Sequence, residues 1–361
     1  MSLKKEKKIV ITGTHLTPAL ELIRQLQNDS QINWHISYIG RKYNSSVSTD
    51  KSIESEIIPK LGINFYSISC GKVDRKYLPN PLMGIPKTIK GFSQAKKIIK
   101  KIKPDIIISF GGYVSVPVVI SSYFSRIKSI THEQTLTNSL TTKINSLFVK
   151  KVALSFNNQK QIDNLPKNKT VVTGNLLRYQ LFSKKYPPLT KTKYPIIYIT
   201  AGNQGSSFIN SVIKDSLDQL SNFFIIHQTG HNDFPQFKKL SKKYSNYLSF
   251  DYLDTPKIAW LLNNADIIIS RSGANTSQEL ALFQKKSILI PLIKSQQNEQ
   301  LLNAQWLQKQ LPQKTIIIKQ NNFNKKNLIN AVKKLKTIKN KKIIKKINPN
   351  LKLLKLIHEI I

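Results

Sequence analysis

Residues 271–279, reading RSGANTSQE, follow directly on the apolar run 265–270. A strand that stops at a Ser-Gly turn and passes into a helix leaves the first amides of that helix unpaired, at the positive end of its dipole, where a phosphate or a polarised ligand binds. Thr276 and Glu279 stand three apart and share one helical face. A carboxylate one to two turns from an anion site suits the two hydroxyls of a ribose, so the pattern points to a nucleotide diphosphate. An ordinary strand-to-helix turn with a solvated glutamate has the same spacing.

Other loops repeat this arrangement. In TAGNQGSSFIN, Gly202, Gly205 and Ser206 sit behind an apolar run and let backbone amides approach a diphosphate. Phe110-Gly111-Gly112-Tyr113 and Thr12-Gly13-Thr14-His15 are placed likewise, and several such loops at strand ends suggest a ligand cleft. His15 is the candidate general base; a helix-start histidine satisfied by backbone is the alternative. His132, Glu133, Gln134 and Thr135 end another run, where their side chains are expected to point into the cleft rather than the core. There is no Asp-x-Asp pair of the kind that holds a divalent ion on a nucleotide diphosphate. Charge on a departing diphosphate is therefore expected to be met by helix amides, Arg178 and serine hydroxyls. His227 and His231 straddle a Thr-Gly turn without an acid in a zinc-site pattern, so neither metal nor cofactor is expected.

These loops need strands behind them, and short β-rich runs alternate with helical patterns along the whole chain, as βα units of a parallel sheet do. The runs are 8–12, 34–40, 63–69, 105–109, 128–131, 152–156 and 170–173, then 195–200, 223–227, 248–251, 265–270, 287–291 and 315–319. The expected class is α/β, with two Rossmann-like domains: 1–175, a linker at 176–194, and 195–340. Residues 341–361 form a terminal helix expected to pack back on the first domain. Residues 87–103 carry seven lysines and no acid. Ile89, Phe92, Ile99 and Ile102 recur there at helical spacing, behind the apolar lead-in 81–86. That segment suits docking on an anionic membrane, or a packed helix with a solvated lysine face.

Composition limits the alternatives. A chain of 361 residues with 40% hydrophobic content can build two ordinary cores. No apolar run reaches the roughly 18 to 20 residues of a membrane span, and no signal peptide is expected. The lone Cys70 forms no internal disulfide and is expected to be a small buried residue. The net charge of +38 invites nucleic acid as a partner, but the lysine is spread throughout and no zinc-finger, RNP-like or helix-turn-helix pattern accompanies it. Nucleic acid is not the expected partner.

The strings FGGYVSVP, HEQT, VVTGNLLR, AGNQGS, HQTG, RSGANTSQE and QLLNA resemble, in order and spacing, those of the MurG family of N-acetylglucosaminyltransferases, over residues 8–310. The resemblance implies two Rossmann-like domains facing across a cleft, the GT-B fold. It also implies transfer of GlcNAc from UDP-GlcNAc to lipid I, giving lipid II for peptidoglycan synthesis at the cytoplasmic face of the membrane. By the same resemblance Glu279 holds the ribose, the Ala274 amide and Thr276 the sugar-diphosphate region, and Ser206 and Arg178 the phosphates. Gln300 and Asn303 meet the GlcNAc hydroxyls, and His15 lies in the acceptor loop. The chain departs from the pattern in its short TGTH loop, in Thr135, in Leu176 and in Glu299. A nucleotide-sugar epimerase and a noncatalytic protein binding nucleic acid or an anionic surface are the rival expectations.

Overall fold

Isoleucine and valine occupy successive positions of β1 (Lys5–Gly13) because both faces of that strand are covered. Ile9 and Ile11 pack with Leu22 and Leu26 of α1 (Leu16–Gln27) and Ile58 of α2 (Ile53–Lys60), whereas Val10 packs with Ala95 and Ile99 of α3 (Ile85–Ile102) and Val118 of α4 (Ser115–Phe124). The computed structural model describes residues 4–43, 51–69, 85–182, 186, 188–202, 204–293, 298–338 and 350–361, without the side chains of 85–88 and 179. Cys70, the lead-in 81–84 and Asn203 lie outside the described residues.

The chain divides into two units, Met1–Leu177 with Pro349–Ile361, and Arg178–Asn348. In the first, β2 (Ile32–Gly40), β3 (Asn64–Ser67), β4 (Ile106–Phe110), β5 (Lys128–Glu133), β6 (Lys151–Leu154) and β7 (Thr170–Val172) join β1 in a parallel seven-stranded sheet ordered β3-β2-β1-β4-β5-β6-β7. Helices α5 (Leu140–Phe148) and α6 (Gln159–Asp163) precede β6 and β7. The second unit is a parallel six-stranded sheet ordered β10-β9-β8-β11-β12-β13. Its strands are β8 (Ile196–Thr200), β9 (Phe224–Gln228), β10 (Tyr247–Phe250), β11 (Ile267–Ser270), β12 (Lys286–Leu289) and β13 (Thr315–Ile317). Between them run α7 (Ser207–Ser216), α8 (Phe234–Lys243), α9 (Thr255–Asn264), α10 (Ala274–Leu282) and α11 (Glu299–Gln310), with α12 (Lys325–Lys336) after β13.

In both sheets the strand order reverses where the first strand of the unit meets the fourth. At such a switch point two loops diverge at the strand C-termini and leave a crevice. The β1 and β4 loops carry Gly13-Thr14-His15 and Gly111-Gly112-Tyr113; the β8 and β11 loops carry Gly202–Ser206 and Arg271–Ala274. The topology thus gathers the glycine loops in pairs.

The end of the chain belongs to the first unit. Helix α13 (Leu351–Ile360) puts Leu353, Leu356 and Ile357 into the cluster of Ile9 and Ile11. Its leading residue Asn350 is fully buried; the Leu177 amide donates to Asn350 Oδ1 at 2.8 Å and Asn350 Nδ2 donates to the Leu177 carbonyl at 2.6 Å. His358 bonds Asp29 and Gln31 at 2.7 and 3.1 Å. Of the stretch 176–194, Leu176 and Leu177 are buried in the first unit, while Arg178 and the short turn Tyr179–Phe182 belong to the second.

Candidate functional site

In the first unit, the β1 and β4 loops interlock through their glycines. The Thr14 amide donates to the Gly111 carbonyl at 3.2 Å, and a Cβ on Gly112 would fall 2.1 Å from Thr14 Oγ1. Gly111 and Gly112 have φ of 67° and 77°, a backbone region that side chains disfavour. His15 is the N-cap of α1 and spends no side-chain hydrogen bond on that helix; its exposed ring lies over Gly111, with Cδ2 3.4 Å from where a Cβ would stand. Although the residue is open to solvent on one side, the protein crowded around its ring removes enough water to push the His15 pKa below its usual value, and the Glu133 carboxylate opposes this more weakly. Tyr113 is half-buried and hydrogen-bonded to Arg41, which also pairs with Glu54 at 2.9 Å.

His132 and Glu133 do not project into open space as expected; they are 1% and 3% exposed. The reason is that β5 is an interior strand whose end is itself covered, so polar side chains there must find partners within the protein. His132 Nε2 donates to the Gly174 carbonyl at 3.1 Å, and burial pushes its pKa down to about 4. Glu133 braces the following loop. Its Oε1 accepts from the Thr135 amide and hydroxyl at 3.1 and 2.9 Å, and its Oε2 from the Ser139 amide and Thr142 hydroxyl at 3.0 and 2.7 Å. Thr135 is held in this brace, and Gln134 beside it is half-buried. Thr14, His15, Gly111 and Gly112 come together at the loops, with His132 and Glu133 packed within.

In the second unit a cavity of about 350 Å³ opens at the β8 and β11 loops. Its walls include Gly202, Gly205, Ser206, Arg271, Thr276 and Glu279. A Cβ on Gly205 would stand 1.9 Å from the Thr229 carbonyl oxygen, and one on Gly230 would stand 2.3 Å from that of Gln204, so the two loops touch backbone to backbone. That contact is fixed from below. Asn210 Nδ2 donates to the Thr229 carbonyl at 2.9 Å while its Oδ1 bonds His227, whose other nitrogen meets the Tyr247 hydroxyl at 2.8 Å. His227 is held neutral there, with burial bringing its pKa down to about 3. It serves the core, as Asn210 does.

Gly273 caps α10 and, having no side chain, gives the Ala274 end of that helix no cap bond of its own. Glu279 is 4% exposed and receives Arg178 Nε and Nη2 on Oε1 at 3.1 and 2.9 Å, and Nη2 on Oε2 at 3.1 Å. Gln300 lines the cavity; its Oε1 accepts the Leu292 amide at 3.0 Å and its carbonyl the Ser272 hydroxyl at 2.7 Å. Asn303 is fully buried and donates to the Ser272 carbonyl at 3.1 Å, which places it under the turn rather than on the cavity wall.

One residue in the cavity was not singled out from the sequence. Arg271 Nη2 donates to Ser206 Oγ at 3.0 Å, and Nη1 to the Ile290 carbonyl and Gln320 Oε1 at 3.0 and 2.8 Å. Among the described residues no carboxylate pairs with it, and burial alone lowers its pKa. It is thus a charged guanidinium on the cavity wall with no carboxylate partner among the described residues. A signal existed: only six of the 57 basic residues are arginine, so an arginine at the head of RSGANTSQE stands out as a planar fork able to meet several acceptors at once.

Two Rossmann-like units, each with its glycine loops at a switch point, are the architecture of the GT-B fold. The family models agree: residues 10–154 match the glycosyltransferase family 28 N-terminal domain and residues 196–360 the family 28 C-terminal domain. A UDP-N-acetylglucosamine–N-acetylmuramyl-(pentapeptide) pyrophosphoryl-undecaprenol N-acetylglucosamine transferase of Clostridium botulinum is 35% identical over 335 residues, covering 90% of this chain and 89% of the relative. The Clostridium tetani protein of the same name is 34% identical over 84% of this chain and 83% of its own. The chain belongs to this transferase family, the MurG family. Among solved structures, Acinetobacter baumannii MurG superposes with a TM-score of 0.71 at 22% identity, covering 98% of this chain and 99% of that one. A UDP-GlcNAc 2-epimerase from Neisseria meningitidis bound to UDP-GlcNAc gives 0.62 at 15% identity over 98% and 99%, a likeness of fold alone.

Proposed function

We propose that the protein transfers GlcNAc from UDP-GlcNAc to the C4 hydroxyl of the N-acetylmuramyl sugar of lipid I, with inversion, giving lipid II. The observation that carries this reading is the cavity of the second unit, where the Arg271 guanidinium, paired with no carboxylate among the described residues, and glycine loops stand beside a buried carboxylate, the set a nucleotide diphosphate requires. The names of the curated relatives support the sugar and the acceptor. The acceptor hydroxyl attacks the anomeric carbon from the face opposite UDP. As the new C–O bond forms, the hydroxyl proton passes to His15, the bond to UDP breaks, and its electron pair stays on the diphosphate. Arg271 and the 202–206 loop meet that charge; Glu279 holds the ribose, and Gln300 the GlcNAc side. Thr14, Gly111 and Gly112 shape the acceptor loop, with Tyr113, His132, Glu133, Gln134 and Thr135 supporting it. Labelled UDP-GlcNAc incubated with and without a lipid I analogue tests this: label should reach the acceptor with inverted configuration. Conversion of UDP-GlcNAc with no acceptor present would replace the reading with epimerisation.

We infer further that the first unit works against an anionic membrane surface. Among the described residues no helix is long and apolar enough to cross a membrane. The unit nevertheless exposes Tyr123, Phe124 and Leu147 by 54%, 74% and 63%, with the Tyr123 ring packed edge-on to Phe124 and Phe148. Arg126 and Lys150 line the same hollow as Tyr123 and Phe124, and Lys96 and Lys100 of α3 line one with Ser125 and Ile127; all four cations are exposed, and neither hollow has an acid in its wall. Of the segment singled out in the sequence, Ile89 is exposed rather than packed, Phe92 is half-buried, and Ala95 and Ile99 are core. Each cation near such a surface contributes about 1 kcal/mol. Phe124→Ser combined with Lys96→Gln and Lys100→Gln is expected to cut co-sedimentation with anionic vesicles by about 30-fold or more. Equal binding to neutral and anionic vesicles would refute the docking face.

A further inference from the structure

Lipid I, the acceptor proposed above, carries a diphosphate, the pyrophosphoryl group of the relatives' name. The β1 loop has given up donors that could meet it. The Thr14 amide is spent on the Gly111 carbonyl at 3.2 Å, and Pro18, third in α1, has no N–H to offer. A cation stands beside that loop. We propose that Arg41 binds the diphosphate of the acceptor, held across the β1 loop by Glu54 and Tyr113. This rests on the reading of the protein as a transferase acting on lipid I.

The placement follows from the sheet. Thr12 of β1 pairs with Ile39 of β2 on one side and with Ser109 of β4 on the other. Arg41 leaves the end of β2, Tyr113 belongs to the β4 loop, and Gly13-Thr14-His15 issues between them. A guanidinium that starts at β2 and hydrogen-bonds Tyr113 therefore spans the β1 loop. Helix α2 fixes its root. The hydroxyl of Ser52, the N-cap of α2, donates to the Arg41 carbonyl at 2.6 Å, and the Ser52 amide to the Lys42 carbonyl at 2.9 Å. Glu54, in the first turn of α2, accepts from Arg41 Nε at 2.9 Å; its side chain is 3% exposed and that of Arg41 23%. The carboxylate is shut away, and the guanidinium is the member of the pair that reaches solvent. A guanidinium meets phosphate oxygens two at a time in one plane, and the contacts with Glu54 and Tyr113 set that plane.

Transfer kinetics on the wild type, Arg41→Gln and Arg41→Lys test the assignment with two soluble lipid I analogues, one with the diphosphate and one with an uncharged linker of the same length. With the diphosphate analogue, Arg41→Gln should raise the acceptor KM by about 10- to 100-fold while kcat stays within about threefold. The KM for UDP-GlcNAc should stay within about twofold, and so should the acceptor KM for the uncharged analogue. The preference for the charged acceptor should thus shrink by the full loss. Arg41→Lys keeps a cation beside Glu54 but not the planar fork, so it should fall between the other two; it also carries the test if Arg41→Gln does not fold. Equal losses on both analogues, or an unchanged KM for the diphosphate analogue, would make Arg41 a structural bridge from α2 to the β4 loop. Either result would overturn the proposal and leave the transferase reading standing. A wild type that transfers GlcNAc to neither analogue would overturn both.

Discussion

His15→Ala is expected to lower kcat by about 10²- to 10⁴-fold while UDP affinity stays within about twofold. The histidine caps α1 without giving it a side-chain bond, so its removal costs the helix little and the effect reads out on chemistry. The pH profile carries the same prediction with a definite sign. A base acts when unprotonated, and desolvation holds the His15 pKa below the usual 6.5. The rate should therefore be flat from pH 8 down through 6.5 and fall about tenfold per unit only below the lowered pKa. An acid limb centred above 6.5, or the same limb surviving in the Ala variant, would remove His15 from proton transfer. A loss confined to acceptor KM would make it a binding residue instead.

Arg271→Gln should reduce kcat/KM for UDP-GlcNAc by about 10²- to 10³-fold, the range for deleting one donor that faces charge developing in the transition state. The charge on a departing diphosphate grows as the glycosidic bond breaks, so more of the loss should sit in kcat than in KM. The substitution also strips a donor from the Ile290 carbonyl and Gln320, an additional cost to stability of about 1–3 kcal/mol. Thermal unfolding separates the two effects. Donor kinetics within twofold of wild type, in a variant that melts early, would assign Arg271 to structure alone.

The strands were legible because β-branched runs buried on two faces leave a dense local signal; β8 and β11 lie within two residues of the runs read for them. The glycine loops at strand ends were legible as well, but not their pairing, which follows from a strand order that spacing along the chain does not give. What depended on distant partners was not legible. His132 and Glu133 end a strand and are polar, which reads as projection outward, but Gly174, Ser139 and Thr142 fold over them from later in the chain. Arg271 shows the same limit: Ile290 and Gln320 lie 19 and 49 residues away, and no spacing near RSGANTSQE reveals them. Nor does spacing show that Arg178 and Glu279, 101 residues apart, close on one another.

The paired hydrogen bonds between Leu177 and Asn350 join residues 173 apart in sequence. On the ribosome, this makes the first unit both the first to emerge and the last to finish. At about 5–20 residues per second, its sheet waits on the order of ten seconds or more for Leu353, Leu356 and Ile357 to complete its apolar cluster. Loss of the chain from residue 350 onward would spare the core of the second unit and strip Leu353, Leu356 and Ile357 from that of the first.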